Sequence, residues 1–247
     1  MKVLIVIPAR YSSHRFPGKA LVPIRGRPMI QWVWERVKDA SVGDVVIATD
    51  DRRIKEAARG FGAQVVVTSS GCRSGTDRVA EVARTKDASL IVNIQGDEPL
   101  IPSQAIRDVI SPLFDDPHLQ MSTLASPIGD GEDLRNPDVV KVIVDRKGFA
   151  LYFSRNPIPY SKDGEGTTGF PYLKHIGVYA YRREFLLRFS TLEPSPLERT
   201  ERLEQLRALE NGYRIRVIVA GYATINVDRP QDVKRVEERL ASTHRDF

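Results

Sequence analysis

Val3-Leu4-Ile5-Val6-Ile7-Pro8 runs directly into Ala9-Arg10-Tyr11-Ser12-Ser13-His14-Arg15-Phe16-Pro17-Gly18-Lys19, and this stretch decides the fold. Five consecutive aliphatic residues closed by proline have the length of a strand buried on both faces. A loop with three fixed cations and several small or hydroxyl residues follows at once. In an α/β sheet, that position is the carboxyl edge, where ligands bind. Backbone amides of such a loop can turn inward onto phosphate oxygens, while arginines add bidentate contacts and lysine adds a point charge. The loop is not a P-loop, because Gly-x4-Gly-Lys-Ser/Thr occurs nowhere in the chain.

The same alternation continues outward. Asp44 to Thr49, Gln64 to Thr68 and Leu90 to Gln95 are further Val- and Ile-rich runs of strand length. Between them, Ile54, Ala57, Ala58 and Phe61 keep helical spacing, as do Val79, Val82 and Ala83 after an expected Thr76 N-cap. Strands alternating with helices imply a parallel sheet with helices on both faces. The second half reads as strands at Val139 to Asp145, Ala150 to Arg155 and Lys174 to Tyr181, with a Gly- and Asp-rich excursion from Ser161 to Gly169. One helix is expected over Glu198 to Glu210, then strands at Ile215 to Val219 and Ile225 to Val227, and a final helix opened by Pro230. The expected organisation is a single domain over 1–247 with an insertion at approximately 146–215.

Bulk properties narrow the function. The chain has 247 residues, 41% of them hydrophobic and 28% charged, which suits a globular core and argues against disorder. Cys72 is the sole cysteine, so neither an intrachain disulfide nor a cysteine zinc site is possible. The apolar run at the start is too short to span a membrane, and a cytoplasmic protein is expected. The net charge of +5 is unevenly placed: Met1 to Trp34 holds no Asp or Glu but carries Lys2, Arg10, Arg15, Lys19, Arg25 and Arg27. A local basic segment fits a compact polyanion such as a triphosphate better than an extended nucleic acid.

Gln95-Gly96-Asp97-Glu98-Pro99 sets a carboxylate at the end of the fourth strand, and Asp228 follows Ile225 to Val227. Magnesium takes one or two protein carboxylates, with phosphate oxygens and water completing the octahedron, so Asp97 and Asp228 are candidate ligands for Mg2+. Read singly, either aspartate could be a turn former. Gly164-Glu165-Gly166-Thr167-Thr168-Gly169 matches G-x-G-x-x-G but neither follows a strand nor opens a helix. Cys72 lacks a base beside it in sequence and reads as an inert thiol.

Taken together, these residues resemble the 3-deoxy-manno-octulosonate (Kdo) cytidylyltransferase family. The resemblance runs from Ile7-Pro8-Ala9-Arg10 with Arg15, Pro17, Gly18 and Lys19, through Ala48-Thr49-Asp50, Ser74-Gly75-Thr76-Asp77-Arg78 and Asn93 to Pro99. It continues through Val140-Lys141-Val142, Ala150 to Arg155, Lys174 to Tyr179, Leu203-Glu204-Gln205-Leu206-Arg207 and Val227-Asp228. It implies a three-layer α/β/α, Rossmann-like nucleotide-diphospho-sugar transferase fold with a mostly parallel mixed sheet. It also implies transfer of CMP from CTP to the anomeric hydroxyl of Kdo, for lipopolysaccharide synthesis, by a homodimer with no nucleic-acid or membrane partner. Arg10, Arg15 and Lys19 would hold the triphosphate, with Arg10, Lys19 and Asp97 closest to the chemistry. The Ala9 main chain, Arg73, Ser74 and Gln95 would recognise the nucleoside. Arg155, His175, Tyr179, Glu204 and Gln205 would line the sugar-acid pocket, and Asp97 and Asp228 would bind Mg2+. Alternatives are a cytidylyltransferase for a related acid, such as 8-amino-Kdo or a sialic acid, and a catalytically silent nucleotide-binding regulator.

Overall fold

All six residues of β1 (Val3–Pro8) are buried. Beyond it lie a 3-10 turn (Lys19–Leu21), β2 (Pro23–Ile24), β3 (Arg27–Pro28), α1 (Met29–Asp39), β4 (Asp44–Thr49), α2 (Arg52–Gly60), β5 (Gln64–Val67), α3 (Gly75–Thr85), β6 (Leu90–Ile94) and α4 (Ser103–Asp115). Then come β7 (Met121–Pro127), α5 (Gly131–Arg135), β8 (Lys141–Val144), β9 (Ala150–Ser154), β10 (Leu173–Arg182), α6 (Arg183–Phe189), α7 (Pro196–Glu201), α8 (Gln205–Glu210), β11 (Ile215–Val219) and α9 (Pro230–Thr243). These elements belong to a computed structural model that describes all residues except 13–15, 130, 163–170, 223 and 244–247. The Gly164–Gly169 motif lies outside the described residues.

The chain divides into two units, Met1–Arg107 with Ala223–Phe247, and Asp108–Tyr222. In the first unit, β1 pairs in parallel with β4 and β6, and β4 in parallel with β5. Parallel strands are joined by crossover helices that cover their faces, which is why β1 and β6 are apolar along nearly their whole length. α3 packs against β1, β4 and β6, and α2 against β4 and β5. All four strands point their carboxyl ends the same way, so the segments after Pro8, Thr49, Val67 and Ile94 emerge together.

The second unit mixes directions. β7 runs parallel to β11 and antiparallel to β10, β10 runs antiparallel to β8, and β8 antiparallel to β9. The β7–β10 register shifts between Ile176 and Tyr179, a bulge that places Tyr179 opposite Thr123 while His175 stands opposite Ala125.

The molecule has the α/β class read from sequence, with four corrections of detail. The second unit begins at Asp108 rather than near residue 146, because β7 supplies the strand on which β10 and β11 assemble. β7 escapes a hydrophobicity reading because Ser122, Thr123 and Ser126 sit buried in it. The helix expected over Glu198 to Glu210 is two helices, with Arg202 between them in the left-handed region at φ 54°. Arg207 grips Glu198 bidentately, Nε to Oε2 at 2.7 Å and a terminal nitrogen to Oε1 at 2.5 Å. Nine residues of continuous helix would separate that pair by roughly 13 Å, so the chain must double back.

The third correction concerns Ile225 to Val227, which forms no strand; Val227 N–H instead donates to Asp97 O at 2.9 Å. The fourth is the cap of α3, which is Ser74 and not Thr76. Ser74 Oγ accepts from Asp77 N–H at 3.1 Å, and the Asp77 carboxylate accepts from Ser74 N–H at 3.2 Å, a reciprocal capping box. Thr76 is buried one step further in and accepts from Asn93 Nδ2 at 3.4 Å.

Gly43 leads into β4 where it lies beside the start of β1. A Cβ there would stand 2.2 Å from Val3 O and 2.8 Å from Val3 C, both backbone atoms. Gly43→Ala is therefore expected to lower unfolding free energy by roughly 2 kcal/mol or more. Chemical denaturation of the two chains, compared at constant m-value, checks it.

Candidate active site

The first unit holds a cavity of about 320 Å³ at the carboxyl ends of its strands. Pro8, Ala9 and Arg10 enter it from β1, Ser74, Gly75 and Arg78 from the start of α3, and Gln95, Gly96 and Asp97 from the end of β6. Lys19 and Asp228 complete its charged wall. Two glycines shape the approach. Gly18 adopts φ 71° and donates its N–H to Tyr11 O at 2.8 Å, turning the loop so that Lys19 follows into the cavity. Gly96 passes so near β1 that a Cβ would lie 3.2 Å from Pro8 O and 3.0 Å from Ile30 Cδ1.

Most sequence-derived residues of the nucleotide side meet here, and their bonding refines their roles. Arg10 is exposed at the rim. The Ala9 N–H is taken by Ala48 O at 2.9 Å, so it is not available to a ligand. Gln95 lines the cavity and donates through Nε2 to Asn93 Oδ1 at 3.2 Å. Ser74 lines it as the α3 cap, whereas the Arg73 side chain is exposed and not part of the lining. Arg15 lies outside the described residues. Lys19 Nζ does not project into open space: it is hydrogen-bonded to Asp97 Oδ2 and lies 3.4 Å from Asp228 Oδ1.

Arg78 was given no role by sequence reasoning, although it stands in the Ser74-Gly75-Thr76-Asp77-Arg78 segment. It is buried, pairs with Asp50 Oδ2 at 3.1 Å and donates to Thr68 Oγ1, so it ties the ends of β4 and β5 to α3. The signal for it was Asp50, placed one residue after the second strand run. Cys72 also lines the cavity, but burial and its hydrogen bond to Glu81 Oε2 (3.2 Å) push the thiol up to about 11. Such a thiol supplies almost no thiolate near neutral pH.

Arg155, His175, Tyr179, Glu204 and Gln205, expected from sequence on the acceptor side, belong to the second unit. His175 and Tyr179 come from β10 on either side of the bulge, with ring centroids 5.3 Å apart. Thr123 Oγ1 lies 2.7 Å from Val178 O and 2.9 Å from His175 Nε2. A hydroxyl has one proton to give, and the shorter contact to Val178 O takes it. Nε2–H of the imidazole then donates to Thr123, leaving Nδ1 as an acceptor. Desolvation lowers the His175 pKa to about 3, so the ring is neutral at physiological pH. Tyr179 is displaced far upward, first by desolvation and then by the charge of Glu204, and keeps its proton. Arg155 donates through Nε to Glu201 O and through a terminal nitrogen to Pro137 O, both at 2.8 Å. Glu204 caps α8 and lies 3.7 Å from Arg207, and Gln205 is buried in the first turn of that helix.

A family model described as "Cytidylyltransferase" matches residues 4–215. A protein of Solibacter usitatus (strain Ellin6076), named 3-deoxy-manno-octulosonate cytidylyltransferase, is 53% identical over 236 residues, covering 95% of this chain and 93% of its own length. One of the same name from Geobacter metallireducens (strain ATCC 53774 / DSM 7210 / GS-15) is 51% identical over 250 residues and covers 98% of both chains. The chain belongs to the 3-deoxy-manno-octulosonate cytidylyltransferase family. A solved structure of CMP:2-keto-3-deoxy-manno-octonic acid synthetase complexed with CTP superposes with a TM-score of 0.92 at 42% identity, over 98% of this chain and all of the other.

In this cytidylyltransferase the aspartate pair suits a hard cation. Asp97 Oδ1 is buried and has no hydrogen-bond partner among the described residues. A buried carboxylate oxygen without a donor is costly unless a cation takes it. The Asp97 carbonyl accepting from Val227 N–H holds Asp228 beside it. Both carboxylates are only partly exposed, at 17% and 25%. Carboxylate oxygens are the donors that Mg2+ prefers.

The neutral imidazole makes stability pH-dependent. The unfolded chain protonates His175 near pH 6.5 and the folded chain near pH 3, so the unfolded state binds more protons between those values. Stability from this group therefore falls as pH falls through that window. His175→Gln, which cannot titrate, is expected to narrow the gap between wild-type and variant melting temperatures when pH drops from 7 to 5. A gap that stays constant would contradict the assignment.

Proposed function

We propose that the chain transfers CMP from CTP to 3-deoxy-D-manno-octulosonate, releasing pyrophosphate and forming CMP-Kdo. The observation that carries this reading is the convergence of Arg10, Lys19, Asp97 and Asp228 on one cavity at the strand ends of the first unit. The names of the relatives support the choice of acid.

The anomeric hydroxyl oxygen of the acceptor attacks the α-phosphorus of CTP. A new phosphorus–oxygen bond forms, the bond to the bridging oxygen of the β-phosphate breaks, and pyrophosphate leaves with the electron pair. Arg10 and Lys19 hold the triphosphate and stabilise negative charge that builds on the leaving group. Gln95, Ser74 and the Ala9 carbonyl present donors and acceptors to the nucleoside. In the acceptor pocket, Arg155 has one terminal nitrogen without a partner among the described residues, suited to a sugar carboxylate. His175 Nδ1 accepts from a sugar hydroxyl, Tyr179 donates to one, and Glu204 and Gln205 bond others. None of these groups is a dedicated base. Asp97 and Asp228 would hold Mg2+, which lowers the pKa of a bound hydroxyl and neutralises phosphate charge when present.

Among the described residues, no helix is long and apolar enough to cross a membrane. Within this reading the enzyme works in the cytoplasm, in lipopolysaccharide synthesis, and as a homodimer.

Pyrophosphate release from CTP and magnesium, measured with Kdo, 8-amino-Kdo, a sialic acid or no acceptor, tests the reaction. Release dependent on Kdo is expected; preference for another acid moves the pocket assignment. Asp97→Asn is expected to lower turnover by a factor on the order of a hundred or more, since it removes a charged ligand with little change in size. Near-normal turnover would remove Asp97 from the metal site.

A further inference from the structure

Lys19 is bonded in a way that a lysine awaiting a phosphate in an open loop is not. Its ammonium is hydrogen-bonded to Asp97 Oδ2, with Asp228 Oδ1 at 3.4 Å and Val227 O at 3.3 Å. An ammonium has three protons, and here three acceptors surround it. The side chain is 18% exposed, beside carboxylates that are themselves mostly shielded. While it keeps these partners, Lys19 has no proton left for a triphosphate oxygen. The carboxylates are also guarded, because a divalent cation on either of them, the unpaired Asp97 Oδ1 included, would sit within a few ångströms of a fixed positive charge. With little water between them, that repulsion is only weakly screened. The ammonium and a metal ion are therefore alternative occupants of one anionic site. The unused, buried Asp97 Oδ1 marks what the ammonium alone does not satisfy.

We propose that Lys19 is a resident counter-ion that bars bare metal from Asp97 and Asp228 until a triphosphate draws it away. The polyphosphate supplies new anionic partners for the ammonium, in the cavity that Lys19 already lines. Release of the carboxylates then coincides with nucleotide binding. Metal and nucleotide affinities are thereby coupled, and the coupling is reciprocal. Arg10, at the cavity rim, is left to make the first contact with phosphate. The proposal rests on the reading of Asp97 and Asp228 as metal ligands, and its test separates the two.

Binding of Mn2+ alone, followed by the loss of its free-ion paramagnetic resonance signal, is measured without nucleotide on wild type, Lys19→Met, Lys19→Arg and Lys19→Met/Asp97→Asn. Lys19→Met is expected to bind Mn2+ roughly tenfold or more tightly than wild type. Lys19→Arg should stay as weak as wild type, and the double variant should lose the gain. If Lys19→Met binds no more tightly, the counter-ion proposal falls while the metal reading stands. If its gain survives Asp97→Asn, the metal reading falls and takes the proposal with it. A wild-type measurement guards against misfolding of the variants: the Lys19 ammonium nitrogen resonance should move with CTP and Mg2+ together but not with Mg2+ alone. A shift with Mg2+ alone overturns the proposal.

Discussion

Burial of β1 on both faces constrains everything that follows it. A strand walled in by neighbours on two edges and helices above and below has no room for polar side chains along its length. Polar and charged groups must appear where the strand stops, and Pro8 sets that point. Because β4, β5 and β6 run parallel to β1, their polar ends emerge on the same side. Arg10, Asp50, Thr68, Gln95 and Asp97, far apart in sequence, thus become neighbours through strand direction. Gly96 reflects how tightly this is done, since even a methyl group would press on the Pro8 carbonyl.

The two units solve different electrostatic problems. The first assembles opposite charges, with a lysine between two aspartates and a buried arginine on Asp50. Such an arrangement suits a highly charged ligand with its counter-cation, because each charge has a partner to exchange. In the second unit, the His175 and Tyr179 rings of β10 are kept neutral. His175 is held uncharged and Tyr179 protonated by desolvation, and Thr123 orients the imidazole through a single proton. Neutral donors and acceptors suit an uncharged hydroxylated ligand better than a polyanion.

Stability in the second unit depends on polar groups that are satisfied inside. Ser122 and Thr123 lie fully buried in β7, yet both hydroxyls donate to backbone carbonyls. Lys141 is fully buried as well, with its ammonium on the carbonyls of Asn136, Val139 and Arg155. The Glu198–Arg207 pair closes the α7–α8 corner and sets Glu204 and Gln205 at the start of α8. Hydrogen bonds of this kind cost little when complete and much when broken.

The sequence by itself determined the α/β class, the four parallel strands of the first unit and most of the residues of the charged cavity. It could do so because those features are local: an apolar run of strand length, its closing proline and the cations or carboxylate next to it. What it missed was non-local. β7 interleaves Met121, Leu124 and Ala125 with buried hydroxyls whose partners lie on other segments, so it shows no continuous apolar run. The break at Arg202 follows from a salt bridge between residues nine apart, while helical spacing reads straight through it. Arg78 gains its place only when Asp50 and Thr68 are brought beside α3. Ala9 loses its amide, and Lys19 its freedom, only once Ala48, Asp97 and Asp228 are near. Residue type and spacing can nominate a charge or a donor, but only tertiary structure decides which partner already holds it.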